Sequence, residues 1–315
     1  MTRESAEQQA LLDAVRLLLG KRCDSAAVRA AMTSEAGFDA GLWRTLAEQI
    51  GVAALPIPEE YGGAGATIVE SALVLEEVGR TLAPVPLLSS LIAAHATDDP
   101  ALLARIAAGE ITAVILDPAD PVLYGAEATT VLALTDDGTV LVDGATVTRQ
   151  PAMDQTLRLA TVDTSTATST PISGDPAKAR DAAFIGLSAL AAGCARRGLE
   201  MTVGYAQQRE QFGRPIGSFQ ALKHRMADML VLTETTRSAA RAAAAGELEP
   251  AVAAAYCKEA VAHVAAETVQ LHGGIAITWE HDAQLVLKRA HALGQLFGTA
   301  HQLRRRVLAR YSASR

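Results

Sequence analysis

Two segments in the C-terminal half combine residue types that suit a phosphorylated ligand. The first runs Arg209-Glu210-Gln211-Phe212-Gly213-Arg214-Pro215-Ile216-Gly217-Ser218-Phe219-Gln220. Arg209 presents donors in a fixed planar fork, suited to a pyrophosphate. Phe212 offers a flat apolar surface, and Gly213 with Pro215 forces a turn that brings the next helix alongside. Gln220 can donate and accept at once, which suits a ribose or adenine edge. The second segment is Gln270-Leu271-His272-Gly273-Gly274. Its glycines remove side chains, so that backbone can approach a ligand closely. A glycine pair is also an ordinary helix C-cap, so either segment alone reads as helix punctuation.

Other chemistry-bearing residues form no constellation. His272, His281 and His291 are spaced by nine and ten residues, which does not suit chelation from one helical face, and no metal site is expected. His272 reads either as packed near a ligand or as a solvent-facing cap residue. Glu280 reads as a structural partner for a nearby cation. Cys23, Cys194 and Cys257 are far apart without CxxC spacing, which implies a reducing compartment and no disulfide framework. The formal net charge of −7 argues against a nucleic-acid partner. Arg304, Arg305 and Arg306 form the densest basic cluster, expected near the end of the last helix, where cations suit the dipole. A polar N-terminus and the lack of a long apolar run imply no membrane association and a cytoplasmic protein.

The elements that must position these residues are mostly helices. Half of the residues are hydrophobic, aromatics are 4%, and alanine and leucine dominate, a balance that favours helix. Residues 1–110 read as an N-terminal helical domain. One buried stripe there is Leu11, Leu12, Val15, Leu18 and Leu19, and a second is Ile68, Ala72, Leu75, Gly79 and Leu82. Pro56, Pro58, Gly62, Gly63 and Gly65 punctuate a loop between them. Residues 111–175 read as a small β unit. Val131–Leu134 and Thr139–Val142 flank an Asp136-Asp137-Gly138 hairpin signal, and Thr161–Thr170 reads as a loose exit loop. Residues 176–315 return to the helical period in longer segments, as a helical bundle. The fold class is mainly α with a small β insert.

With both ligand segments in this order on one bundle, the chain resembles the acyl-CoA dehydrogenase family. R-x-x-F-G at Arg209–Gly213 and Q-x-x-G-G at Gln270–Gly274 carry the likeness. It extends to Pro58-Glu59-Glu60-Tyr61-Gly62-Gly63-Ala64-Gly65 with Glu76-Glu77-Val78-Gly79-Arg80, and runs without a gap from Gln270 to Thr299. The resemblance implies an N-terminal helical domain, a middle β domain and a C-terminal four-helix bundle. It implies FAD as cofactor, with Arg209, Gln211, Phe212, Gln220, Gln270, Gly273, Gly274 and Thr299 as its binding residues. It also implies α-proton abstraction from an acyl-CoA thioester coupled to β-hydride transfer to the flavin. For Pro58–Gly65 and Glu76–Arg80, a structural role is the preferred reading, as a turn and a helix-packing glycine.

Two departures change what the resemblance implies. That chemistry needs a carboxylate base in a water-poor site. In relatives it precedes the Gly-Thr pair, where this chain has Phe297, or lies early in the first C-terminal helix, where counting back reaches Ala183 and Phe184. Asp181 is close, yet two residues is about 200° around a helix, so it faces away. The middle region is also truncated, too short for the family's larger barrel at ordinary strand lengths. The chain therefore resembles the short subunits of actinobacterial heterotetrameric acyl-CoA dehydrogenases that act on CoA thioesters of steroid side chains. Such a chain would share FAD with a full-length partner subunit in an α2β2 heterotetramer and be inactive alone. Two other readings stand beside it: a self-sufficient homomeric dehydrogenase with an atypical base, and a cofactor-free structural or interaction subunit.

Overall fold

The computed structural model describes residues 4–313. Six helices come first: α1 (Ala6–Arg22), α2 (Ser25–Thr33), α3 (Ala40–Arg44), α4 (Ile68–Thr81), α5 (Leu87–Ala96) and α6 (Pro100–Ala107). Five follow the β region: α7 (Pro176–Gln208), α8 (Gln220–Ala244), α9 (Pro250–His272), α10 (Ala283–Gln295) and α11 (Ala300–Ala313). Local chemistry sets their starts. Ser5 with Gln8 and Thr67 with Glu70 form capping boxes on α1 and α4, while Asp24, Asp39, Asp99 and Asp175 accept first-turn amides of α2, α3, α6 and α7.

The α1 stripe is as expected, with Leu12, Val15 and Leu19 buried and Leu11 and Leu18 at the margin. In α4 every residue from Ser71 to Gly79 is buried, because α1, α7 and α8 enclose it. Glycine permits the closest of these contacts. A Cβ on Gly79 would lie 2.3 Å from the Leu190 carbonyl oxygen, and one on Gly193 would lie 1.9 Å from that of Glu76. Gly79 is thus the helix-packing glycine that the sequence suggests. The two glutamates beside it are buried and paired on opposite sides of α4. Glu77 accepts from Arg16 at 2.7 Å on α1, with Arg196 of α7 at 3.6 Å. Glu76 meets Arg237 at 3.1 Å and Arg241 at 3.4 Å on α8.

Between the helical parts lie seven strands: β1 (Thr112–Ile115), β2 (Val122–Leu123), β3 (Thr130–Leu134), β4 (Thr139–Asp143), β5 (Thr146–Gln150), β6 (Leu159–Asp163) and β7 (Thr168–Ile172). They form one sheet ordered β1-β3-β4-β7, with β1 and β3 parallel, and a second ordered β2-β6-β5. The expected hairpin closes at Gly138, pairing Leu134 with Thr139. The expected loose loop at Thr161–Thr170 is instead the end of β6 and the start of β7, with a turn at 164–167 between them. β5 and β7 are edge strands with mostly exposed side chains, so they lack the alternation that marks a half-buried strand. Their threonines satisfy β-propensity without a hydrophobic pattern.

A buried ion pair fastens this β unit to the bundle. Arg289 of α10 is 0% exposed, and its Nε donates at 2.6 Å to Asp154 in the β5–β6 connection. Thr156 accepts from the same guanidinium and donates to Asp154.

The last helix corrects one expectation. Arg304–Arg306 fall in the first half of α11, so the C-terminal dipole does not explain them. They reach other elements instead: Arg304 pairs with Glu259 on α9, and Arg306 lies 3.8 Å from Asp117.

Candidate functional site

The Arg209 segment is a projecting hairpin. Arg209 closes α7 by donating its amide to the Tyr205 carbonyl at 2.8 Å. Two short strands, β8 (Glu210–Gln211) and β9 (Arg214–Pro215), pair around Phe212 and Gly213, at φ 54° and 75°. Positive φ at both central residues is what a tight type I′ turn requires. Phe212 adopts it at a steric cost while 92% exposed. Its ring meets Phe219 edge-on at 6.1 Å, and the Arg214 guanidinium covers the other ring at 4.1 Å. Gln211 donates its amide to the Glu210 carbonyl at 2.9 Å. Gln220, exposed, opens α8, whose N-terminus has no side-chain cap. An uncapped helix N-terminus favours an anion.

The Gln270 segment ends α9. Gln270 is exposed, and Gly273 caps the helix at φ 65° and ψ −146°, a conformation open to glycine. Gly274 is different: its φ is not in the left-handed region, and a Cβ there would meet nothing within 4 Å. Nothing within the chain requires glycine at this exposed position. Side chains behind the two segments touch: Tyr205 stacks on His272 with centroids 4.6 Å apart. His272 is buried, so it is no solvent-facing cap; its Nδ1 donates to the Thr268 carbonyl at 2.7 Å.

Arg209, Gln211, Phe212, Gln220, Gln270, Gly273 and Gly274 are therefore on exposed, neighbouring turns. Thr299 stands apart. Its hydroxyl accepts from Gln302 N–H at 3.3 Å while the Gln302 carboxamide oxygen accepts from Thr299 N–H at 2.7 Å, a capping box that starts α11. Glu280 is exposed and makes no ion pair among the described residues; the cations Arg29 and Lys288 stack on its neighbour Trp279. His291 is also exposed, and among the described residues no cluster of acids, histidines or cysteines could hold a metal ion. No helix among them is long and apolar enough to cross a membrane.

Phe297 and Phe184 open onto one cavity of about 430 Å³, lined also by Asp117, Asp120, Arg180 and Glu249. Phe297 is 5% exposed at φ 60°, and Ala183 is fully buried. Asp181 is not part of the lining, as its angle on the helix implies.

The described segments match known families over most of their length. Residues 5–104 match the acyl-CoA dehydrogenase N-terminal domain, and 184–312 match the acyl-CoA dehydrogenase C-terminal domain. The chain is 44% identical to acyl-CoA dehydrogenase IpdE2 of Mycolicibacterium smegmatis, covering 97% of this chain and 99% of that protein. It is 45% identical to IpdE2 of Mycobacterium tuberculosis, over 96% of both. The chain belongs to the acyl-CoA dehydrogenase family. Its fold matches a chain in the crystal structure of the ChsE4-ChsE5 complex from Mycobacterium tuberculosis, with TM-score 0.85 and 26% identity over 99% of each. A variant of the Tcur3481-Tcur3483 steroid ACAD matches with TM-score 0.84 and 27% identity, over 98% of this chain and 99% of that one.

Acyl-CoA dehydrogenases use FAD, and the exposed segments fit the non-reacting end of that cofactor. A guanidinium, uncapped amides and an unexplained glycine suit phosphate and close nucleotide approach. Two residues near the cavity escape sequence reasoning. Asp120, in the β1–β2 connection, has its carboxyl pushed above the usual range by burial and by Asp117. Lys258, 2% exposed on α9, donates to the carbonyls of Leu293 at 2.8 Å and Leu296 at 2.5 Å, which holds the turn bearing Phe297. Burial pushes this amine down to about 7, while the carbonyls at a helix C-terminus favour the charged form. Neither residue lies in a motif, and only their partners, over 30 residues away for Lys258, reveal their roles.

Proposed function

We propose that this chain is a subunit of a heteromeric, FAD-dependent acyl-CoA dehydrogenase that supplies half of a shared cofactor site. Arg209, Gln220 and the α8 amides would hold the pyrophosphate and ribose, with Phe212, Gln270, Gly273 and Gly274 against the nucleotide. FAD, when bound, accepts the hydride removed from the acyl thioester. The reactive ring and the carboxylate base would belong to a full-length partner, in an α2β2 assembly located in the cytoplasm. The observation that carries this reading is Phe297, a buried phenylalanine where the family's commoner base would stand. It cannot take a proton, and Ala183 offers no replacement. Outward-facing motif residues support a site completed by another chain. The likeness to the Tcur3481-Tcur3483 steroid ACAD and the ChsE4-ChsE5 complex supports a partner subunit and a steroid side-chain CoA thioester as substrate.

A second reading, a self-sufficient enzyme with an atypical base, draws on Asp120, a carboxyl of raised pKa on the same cavity as Phe297. Purifying the chain alone and with the full-length dehydrogenase encoded beside it separates the two. FAD bound and acyl-CoA oxidised only in the mixture is the expected result. Stoichiometric FAD and turnover by the isolated chain, lost on Asp120→Asn, would establish the second reading.

A further inference from the structure

Behind the two cofactor segments, three rings form a continuous contact. Tyr205 of α7 stacks on His272 of α9 at 4.6 Å, and His272 lies 4.7 Å from His281, just before α10. Tyr205 and His281 complete the triangle at 6.4 Å. Each member is tied to a cofactor segment or a helix end. The Tyr205 carbonyl receives the Arg209 amide, His272 sits inside the Gln270–Gly274 turn, and His281 Nδ1 accepts from Ala283 N–H at 3.1 Å.

These bonds say which ring nitrogens carry a proton and which must not. A carbonyl only accepts, so His272 carries its proton on Nδ1, facing Thr268. His272 Nε2 is buried without a hydrogen bond of normal geometry, and the Met201 carbonyl favours a proton on the ring, against the burial. His281 is the opposite tautomer, since its Nδ1 must keep a free lone pair for Ala283. That lone pair does the work of a cap. Asp282 does not cap α10, because its carboxylate is engaged by Ser25 at 2.6 Å and Arg29 at 2.8 Å, with Arg197 at 3.5 Å. A proton on His281 Nδ1 would set donor against donor and free the first amide of α10.

The groups facing the pair come from every neighbouring element. Tyr205 and Arg197 come from α7, Arg29 from α2, Asp282 from the start of α10, and the imidazoles face each other. Burial holds both histidines below their ordinary pKa. His281 lowers that of His272, and Arg29 and Arg197 lower that of His281, against Asp282.

We propose that Tyr205, His272 and His281 are positioning residues that clasp the two cofactor segments together, and that the clasp is closed only while the His281 imidazole is neutral. Acid opens it at the start of α10 and loosens the Gln270–Gly274 turn. The consequence for FAD rests on the shared-site reading; the clasp itself does not.

The test compares wild type with His281→Asn between pH 7.5 and 5.5. Asparagine keeps an oxygen that can accept from Ala283 and has nothing to titrate. In the isolated chain, hydrogen exchange at the Ala283–Leu285 amides, corrected for intrinsic rates, should accelerate about tenfold on acidification in wild type and stay level in the variant. In the complex, the FAD dissociation constant should rise about tenfold in wild type and less than about twofold in the variant. In wild type, loss of Ala283 protection should share its midpoint with the His281 ring titration read by NMR. Equal pH responses in the two proteins, or midpoints that differ, would overturn the clasp. A complex that holds no FAD at any pH would sink the shared-site reading, while exchange in the isolated chain still decides the clasp.

Discussion

At the residue scale, the proposed cofactor half-site rests on exposed residues, so their replacement should leave the fold intact. Arg209 has an exposed side chain, so Arg209→Ala should leave the melting temperature unchanged. It should weaken FAD retention in the complex by about 1.5–3 kcal/mol, the worth of a charge-assisted hydrogen bond. Gly274→Ala is a sharper test, because an added methyl would meet nothing within 4 Å in this chain. Unaltered thermal unfolding with reduced FAD affinity is expected, measured by calorimetry and flavin fluorescence. If affinity is unchanged as well, the nucleotide does not approach that turn. These residues stand out in the sequence because the two segments occur together in the order that the family resemblance carries, and each alone reads as helix punctuation. Asp120 and Lys258 are not legible, since the α10 carbonyls that engage Lys258 lie on another helix.

At the element scale, contact between backbones is the constraint. Gly193→Ala would place a Cβ 1.9 Å from the Glu76 carbonyl where α4 crosses α7. It should destabilise by about 1–3 kcal/mol or more, read as a lower denaturant midpoint with an unchanged slope. Asp154→Ala should cost about 3–5 kcal/mol, because Arg289 would remain buried with its charge uncompensated. The helices were readable from their stripes and caps. Strands β3 and β4 are readable from their β-prone runs and the turn between them, whereas β5 and β7 are not, because exposed threonine-rich strands carry no hydrophobic period. The three arginines of α11 were misplaced for a related reason: a polar terminal helix gives no stop signal, so its end is invisible.

For the whole molecule, the titration of its buried histidines sets an acid limit. His272, His281 and His95 all have pKa values below the ordinary 6.5, with burial the largest cause of each. The unfolded chain therefore binds these protons first. Stability should be full above about pH 6.5 and fall as the pH drops through the lower native values, as monitored by circular dichroism. Rising stability on acidification over that range would contradict the depressed native values. On the proposed reading, the exposed segments and the carboxylate-free positions at Phe297 and Ala183 are completed by a second chain. The most direct measurement is the FAD content of the co-purified heteromer with this chain as wild type, Arg209→Ala or Gly274→Ala. Stoichiometric FAD in the wild-type heteromer, with marked loss in both variants and none in the isolated chain, is expected. Full FAD occupancy in the heteromer despite either substitution, or in the isolated chain, would contradict the shared half-site.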